Sequence, residues 1–185
     1  MTGWIILIIV VAILGYAVYL YNDLVRNRQL TQEGWSGIDV QLKRRADLIP
    51  NLLETVKGYM THERETLEAV TNARAAAQAG ANAPPEERAK LEGALTGALG
   101  RLIAVAESYP DLKANTTFLE FQKALQGVED EIQLARRYYN GAVRNLNVAV
   151  ESFPSAIIAN MFKFTKAEYF ELENPADRAV PTVKF

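Results

Sequence analysis

No charged side chain occurs before Asp23, and Ile5 to Val11 is an unbroken aliphatic run that Ala12, Ile13, Leu14, Val18 and Leu20 extend. A helix crossing the hydrocarbon of a bilayer needs roughly 17–25 predominantly apolar residues, so this stretch is just long enough. Trp4 and Ile5 stand at one end, Leu14 lies within, and Tyr16, Tyr19 and Tyr21 cluster toward the other end. Aromatic rings favour the interface, where one edge meets lipid and the other meets water. A cleaved signal peptide needs a basic segment ahead of the run and small residues at the cleavage point. No Lys or Arg precedes the run, and Tyr16-Ala17-Val18-Tyr19 is a poor cleavage site. A core helix would show a polar face, and this run has none. The pattern therefore predicts a transmembrane anchor over residues 1–21, held by Trp4, Ile5, Leu14, Tyr19 and Tyr21.

Beyond the anchor the apolar residues become periodic. From Asn22 to Ala79, Trp35, Ile38, Leu42, Ile49, Leu52, Val56, Tyr59, Leu67 and Val70 recur at spacings of three and four or their sums, which keeps them on one helical stripe. Pro50 interrupts the segment. Asp47-Leu48-Ile49-Pro50 fits a tight turn between two helices, with Asp47 as a cap, or a kink within one helix. The stripe keeps its phase across Pro50, which favours the kink. Gly80-Ala81-Asn82-Ala83-Pro84-Pro85 is a linker of breakers, and Glu86 and Glu87 suit the helix N-terminus that follows. That helix is expected to run to about Ser108 with a stripe of Leu91, Leu95, Ala98, Leu102, Val105 and Tyr109.

The last long helix carries the strongest pattern. Phe118, Phe121, Leu125, Val128, Ile132, Ala135, Tyr139, Ala142, Leu146, Ala149 and Phe153 alternate three and four apart, a heptad seam suited to near-parallel packing. Pro154 ends it, Ser155 to Phe164 reads as a short apolar helix, and residues 165–185 read as an extended tail. The expected fold is all-α: an N-terminal transmembrane helix followed by an antiparallel three- to four-helix bundle of long helices over residues 22–164.

Composition narrows the chemistry. The 185 residues carry a net charge of −2, one histidine and no cysteine. Disulfides, thiolate metal sites and a cysteine nucleophile are excluded together. The near-neutral balance argues against nucleic-acid binding, which needs a large basic surface. His62-Glu63-Arg64-Glu65-Thr66 begins like a zinc-protease helix but lacks the second histidine, and Tyr59 stands where a di-iron Glu-x-x-His would need its glutamate. There is neither a phosphate-binding Walker loop nor a Gly-x-Ser-x-Gly elbow. The residues point to no catalytic activity, no cofactor, no metal and no small-molecule substrate; His62 reads as an exposed helix residue.

Several features remain for binding. Lys43, Arg44 and Arg45 form a compact basic run. It fits a solvated face or interaction surface, internal pairing with acidic residues of the last helix, or lipid headgroups. On a straight helix Lys43 would sit about 30 Å beyond the span at 1.5 Å per residue, which disfavours lipid. Gly93, Gly97 and Gly100 are costly inside a helix, so close approach of a neighbouring helix is expected there, with a backbone-lined groove as the alternative. Arg136, Asn140, Arg144 and Asn147, with Asp39 and Gln41, fit either an internal polar network or simple exposure. Ile157, Ile158, Met161, Phe162 and Phe164, beside Lys163 and Lys166, fit a cap over the end of a bundle core better than an interfacial helix. The ending Val183-Lys184-Phe185 is a candidate handle for another protein, or docks on its own bundle.

Several segments resemble the LemA family: Tyr21-Asn22-Asp23-Leu24-Val25, Trp35 to Arg45, Asp47 to Leu52, Val56-Lys57-Gly58-Tyr59 with His62-Glu63, Tyr109 to Ala114, Ala135 to Asn140, Phe153-Pro154, and Pro181 to Phe185. The resemblance covers nearly the whole chain. It implies a bacterial protein with one N-terminal span, a helical bundle in the cytoplasm and no established catalytic site. It also implies a relative that organises magnetosome membranes, and members encoded near membrane zinc proteases. Arg26 and Arg28 closely follow the span and no basic residue precedes it, so the N-terminus is expected outside and the bundle in the cytoplasm. The expected function is a homo-oligomeric scaffold that organises or shapes the bacterial cytoplasmic membrane; the alternative is an adaptor for another membrane protein such as a protease.

Overall fold

The computed structural model describes residues 2–171, so Val183, Lys184 and Phe185 lie outside the described residues. These residues form six helices and no strand: α1 (Thr2–Lys57), α2 (Arg64–Ala79), α3 (Pro85–Ala106), α4 (Pro110–Lys113), α5 (Thr116–Glu151) and α6 (Ser155–Met161). α1 continues through Pro50, as the unbroken stripe predicted. The expected helix over 22–79 is nevertheless two helices, because α1 stops at Lys57 and α2 starts at Arg64. Gly58 follows the last helical residue, and Tyr59 and Met60 donate their amides to the Val56 carbonyl, closing the helix end. His62 therefore lies in this connection, exposed, rather than on a helix.

The residues gather into two compact units. One comprises residues 2–37 and 135–169. Within it α1 and α5 run antiparallel: Gly34 and Trp35 meet Tyr139, while Leu24 shares a buried cluster with Ala149 and Val150. The other comprises residues 38–134 with Phe170 and Glu171. Its core joins Ile49, Leu52 and Val56 of α1, Val70 of α2, Leu95 and Leu102 of α3, and Phe118 and Leu125 of α5. Burying such side chains is worth about 1.5–3 kcal/mol each, and their helical spacing is what aligns them. α3 begins with Pro85 at its first position, where a missing amide costs nothing. At the start of α5, Asn115 accepts the Phe118 amide at 3.0 Å on its side-chain oxygen, a helix cap.

The seam of α5 packs as its spacing predicted, with Leu125, Val128, Ile132, Tyr139, Ala142 and Leu146 buried. Phe153 departs from it: α5 ends at Glu151 and the ring is 84% exposed. The glycines of α3 also depart from expectation. A Cβ at Gly93, Gly97 or Gly100 would meet nothing within 4 Å, because these positions lie off the apolar stripe. Close approach occurs instead at Gly34.

Candidate membrane-facing site

The apolar stretch of α1 is the one segment among the described residues long and apolar enough to cross a membrane, and none of it is buried. Trp4, Ile5, Leu14 and Tyr19 are all more than half exposed. Tyr21 behaves differently. Its ring packs against Phe162 at 4.7 Å and Phe164 at 5.9 Å between centroids. Together with Ala17, Leu20, Leu24 and Val25 it receives α6 and the turn that follows.

That turn explains how α6 reaches the end of the apolar stretch. Phe164 donates its amide to the Ala159 carbonyl at 2.9 Å and Lys163 donates to Asn160 at 3.3 Å, while Lys163 adopts φ 57°. This is the Schellman closure, with Lys163 where glycine is usual; the left-handed conformation costs a non-glycine residue roughly 1–2 kcal/mol. The closure directs Phe164 back into the cluster with Ala159, Ile158 and Leu24. The guanidinium of Arg28 lies 5.0 Å above the Phe164 ring. The expected capping role of residues 155–164 is thus met on one side of α6. Phe153, Ile157, Met161 and Phe162 remain at least half exposed.

The chain then runs along α5. Asn147 accepts the Ala167 amide at 2.8 Å and donates to the Ala167 carbonyl at 3.0 Å, a two-way clamp. Tyr139 donates its hydroxyl to the Glu168 carbonyl at 2.8 Å, and its ring tilts against Trp35. Burial, with the Glu168 charge as a second contribution, pushes the Tyr139 hydroxyl up to about 12. A raised phenol favours the folded state below the unfolded value near 10 and loses that contribution as pH rises from about 10 to 12. Tyr139→Phe is expected to lower stability at pH 8 by about 1 kcal/mol and to flatten the loss between pH 10 and 12. Thermal melts across that range check both. Further along, Lys166 pairs with Glu151 at 2.8 Å, which raises its ammonium.

The basic run is divided. Lys43 and Arg44 are exposed, but Arg45 is buried to 0% exposure and so belongs to no interaction surface. Its Nη2 meets Glu92 Oε2 at 2.6 Å, and its Nη1 meets Glu129 Oε1 at 2.5 Å and Thr96 Oγ1 at 2.7 Å. Internal pairing with the last helix, one of the sequence alternatives, describes the Glu129 contact. Two members of the expected network of Asp39 and Gln41 with Arg136, Asn140, Arg144 and Asn147 have partners outside it. Asp39 instead pairs with Arg88 at 2.7 Å, and Asn147 clamps the backbone at Ala167. Which helices pair, and how each is rotated about its axis, decides this, and neither is a pattern along one helix. Between α3 and α5 an open groove of about 480 Å³ is lined by Leu99, Gly100, Ile103, Leu119 and Gln122, among others.

Among known proteins, the family model described as LemA family matches residues 34–185. The chain is 28% identical to magnetosome protein MamQ 2 of Paramagnetospirillum magneticum over 191 aligned positions, covering 90% of this chain and 70% of that protein. It is 27% identical to protein LemA of Metamycoplasma hominis over 158 positions, covering 84% and 72%. Magnetosome protein MamQ of Magnetospirillum gryphiswaldense matches at 26% identity over 180 positions, covering 84% and 66%.

Proposed function

Since the chain belongs to the LemA family, and is membrane-associated, we propose that it is a non-catalytic scaffold of the bacterial cytoplasmic membrane that works as a homo-oligomer. α1 crosses the bilayer once, with the N-terminus outside and the helical units in the cytoplasm, as the basic residues Arg26 and Arg28 after the span favour. The observation that carries the reading is α1 itself: one helix, Thr2–Lys57, supplies both a largely exposed apolar stretch and core side chains further along. Anchored copies meet in two dimensions, where weak lateral contacts suffice to build an array. Exposed apolar side chains away from the apolar stretch, such as Val40, Leu119, Leu134 and Val148, supply contact surface. Relatives that bear the name magnetosome protein support an organising role.

The test is the mass of the full-length protein extracted in mild detergent or lipid discs, with electron microscopy of the same samples. Closed or stacked assemblies of many copies are expected. A strict monomer in native membrane extracts would falsify the scaffold reading. It would leave the adaptor reading in front, for which the open groove between α3 and α5 is the favouring feature.

A further inference from the structure

From the way α6 is held, we infer that its outer face is a second membrane contact: Phe153, Ile157, Met161 and Phe162 lie in the headgroup–acyl boundary of the bilayer that α1 enters. The inference goes beyond homo-oligomerisation and does not depend on it; it rests on α1 being a span.

Position is the first argument. α6 and its closing turn pack on Ala17, Leu20, Tyr21, Leu24 and Val25, the last turns of the apolar stretch and the first beyond it. The first charged residue of the chain, Asp23, lies within that segment. A hydrocarbon core about 30 Å thick takes about 20 residues of helix at 1.5 Å each, so these turns stand at the membrane boundary. Anything packed on them stands there too.

Exposure is the second argument. Ile158, Ala159 and Phe164 are buried against α1, whereas Phe153, Ile157, Met161 and Phe162 are 84%, 54%, 65% and 54% exposed. Ile157 and Met161 are four apart and share a helix face. The exposed surface of α1 itself, including Tyr16, Val18 and Tyr19, is apolar in the same turns that receive α6. The patch therefore continues the lipid-facing surface of the span. The polar side chains that border it suit a headgroup zone: Arg28 lies over Phe164, Lys163 closes the helix, and Lys166 follows. Seven residues of α6 are too few to bind a bilayer unaided, and the span supplies the effective concentration that removes this objection.

The chain has no cysteine, so single substitutions give clean labels. Ile157→Cys and Met161→Cys, each carrying a polarity-sensitive fluorophore, are reconstituted as full-length protein in phosphatidylcholine–phosphatidylglycerol vesicles containing nitroxide-labelled acyl chains. Leu14→Cys reports the span. Arg137→Cys is exposed near Tyr139, which meets α1 at Gly34, about 15 Å beyond Leu24 at 1.5 Å per residue. Expected is a blue shift and quenching at 157 and 161 approaching that at 14, with neither at 137. Quenching at 14 but not at 157 or 161 overturns the inference and leaves the span intact. A blue shift at 157 and 161 without quenching also overturns it, and assigns the face to a second copy. No quenching at 14 removes the span and the inference together.

Discussion

Replacing Arg45 by methionine is expected to destabilise the protein by about 3–5 kcal/mol, a large share of the roughly 5–15 kcal/mol that holds a domain together. The guanidinium is fully buried and fully engaged at both terminal nitrogens, with Glu92, Glu129 and Thr96. Methionine fills much of the volume but leaves the Glu92 carboxylate, 4% exposed, with its nearest remaining cation at Arg88 Nε, 3.9 Å away. A buried carboxylate without its counter-charge has lost water and received nothing equivalent. Arg45→Lys is expected to rescue only part of this, since a single ammonium does not reproduce a fork that reaches two carboxylates. Arg45→Met combined with Glu92→Met removes the most deeply buried pair, leaves only the quarter-exposed Glu129 without its partner, and is expected to recover most of the loss. Urea unfolding of the full-length protein in mild detergent, followed by circular dichroism, measures all three. An Arg45→Met variant within about 1 kcal/mol of the parent would show that this pair does not hold the helices together.

The second large effect is expected at Gly34. A Cβ there would lie 3.0 Å from the Tyr139 Cα, 3.1 Å from Tyr138 Cδ1 and 3.3 Å from the Tyr139 Cβ. Two of those three atoms belong to the immediate α5 main chain and its first side-chain carbon, so relief requires α1 and α5 to separate. Gly34→Ala is expected to lose about 1–3 kcal/mol by overpacking, against about 1 kcal/mol gained from helix propensity. Gly34→Leu has no such balance and is expected to lose well beyond that. Gly97→Ala, with nothing within 4 Å of its Cβ, is expected to gain about 0.5–1 kcal/mol. Opposite signs for two glycine-to-alanine changes in helices are the readout. A gain at Gly34 would mean that the helices yield freely there.

These two positions also mark the limit of what the sequence shows. The apolar stretch of α1 and the α5 seam are legible because each is a pattern along one helix: a run without polar faces, and a repeat of threes and fours. Arg45 is not. A basic run reads the same whether water or carboxylates surround it, and its partners lie 47 and 84 residues away. The glycines mislead for a related reason. Gly93, Gly97 and Gly100 attract attention by recurring, while Gly34 stands alone next to Trp35 and is revealed only by the α5 backbone beside it. The break after Lys57 had Gly58 as its one local signal, and the stripe running on through Tyr59 and Leu67 masked it. The α6 closure uses lysine where glycine is the usual sign, so no residue announced it. Its two-sided character, packed on α1 and open outward, is a property of the folded chain alone.

The pairing of Arg45 with Glu129 has a consequence in time. At roughly 5–20 residues per second, translation supplies Glu129 about 4–17 s after Arg45, across 84 residues of chain. The α2–α3 hairpin closes from neighbouring sequence well before then. For most of that interval Ile49, Leu52 and Val56 on the emerging α1 lack their α5 partners Phe118 and Leu125. Synthesis alone therefore keeps this nascent surface open for seconds, during which it can mispair with a neighbouring polypeptide.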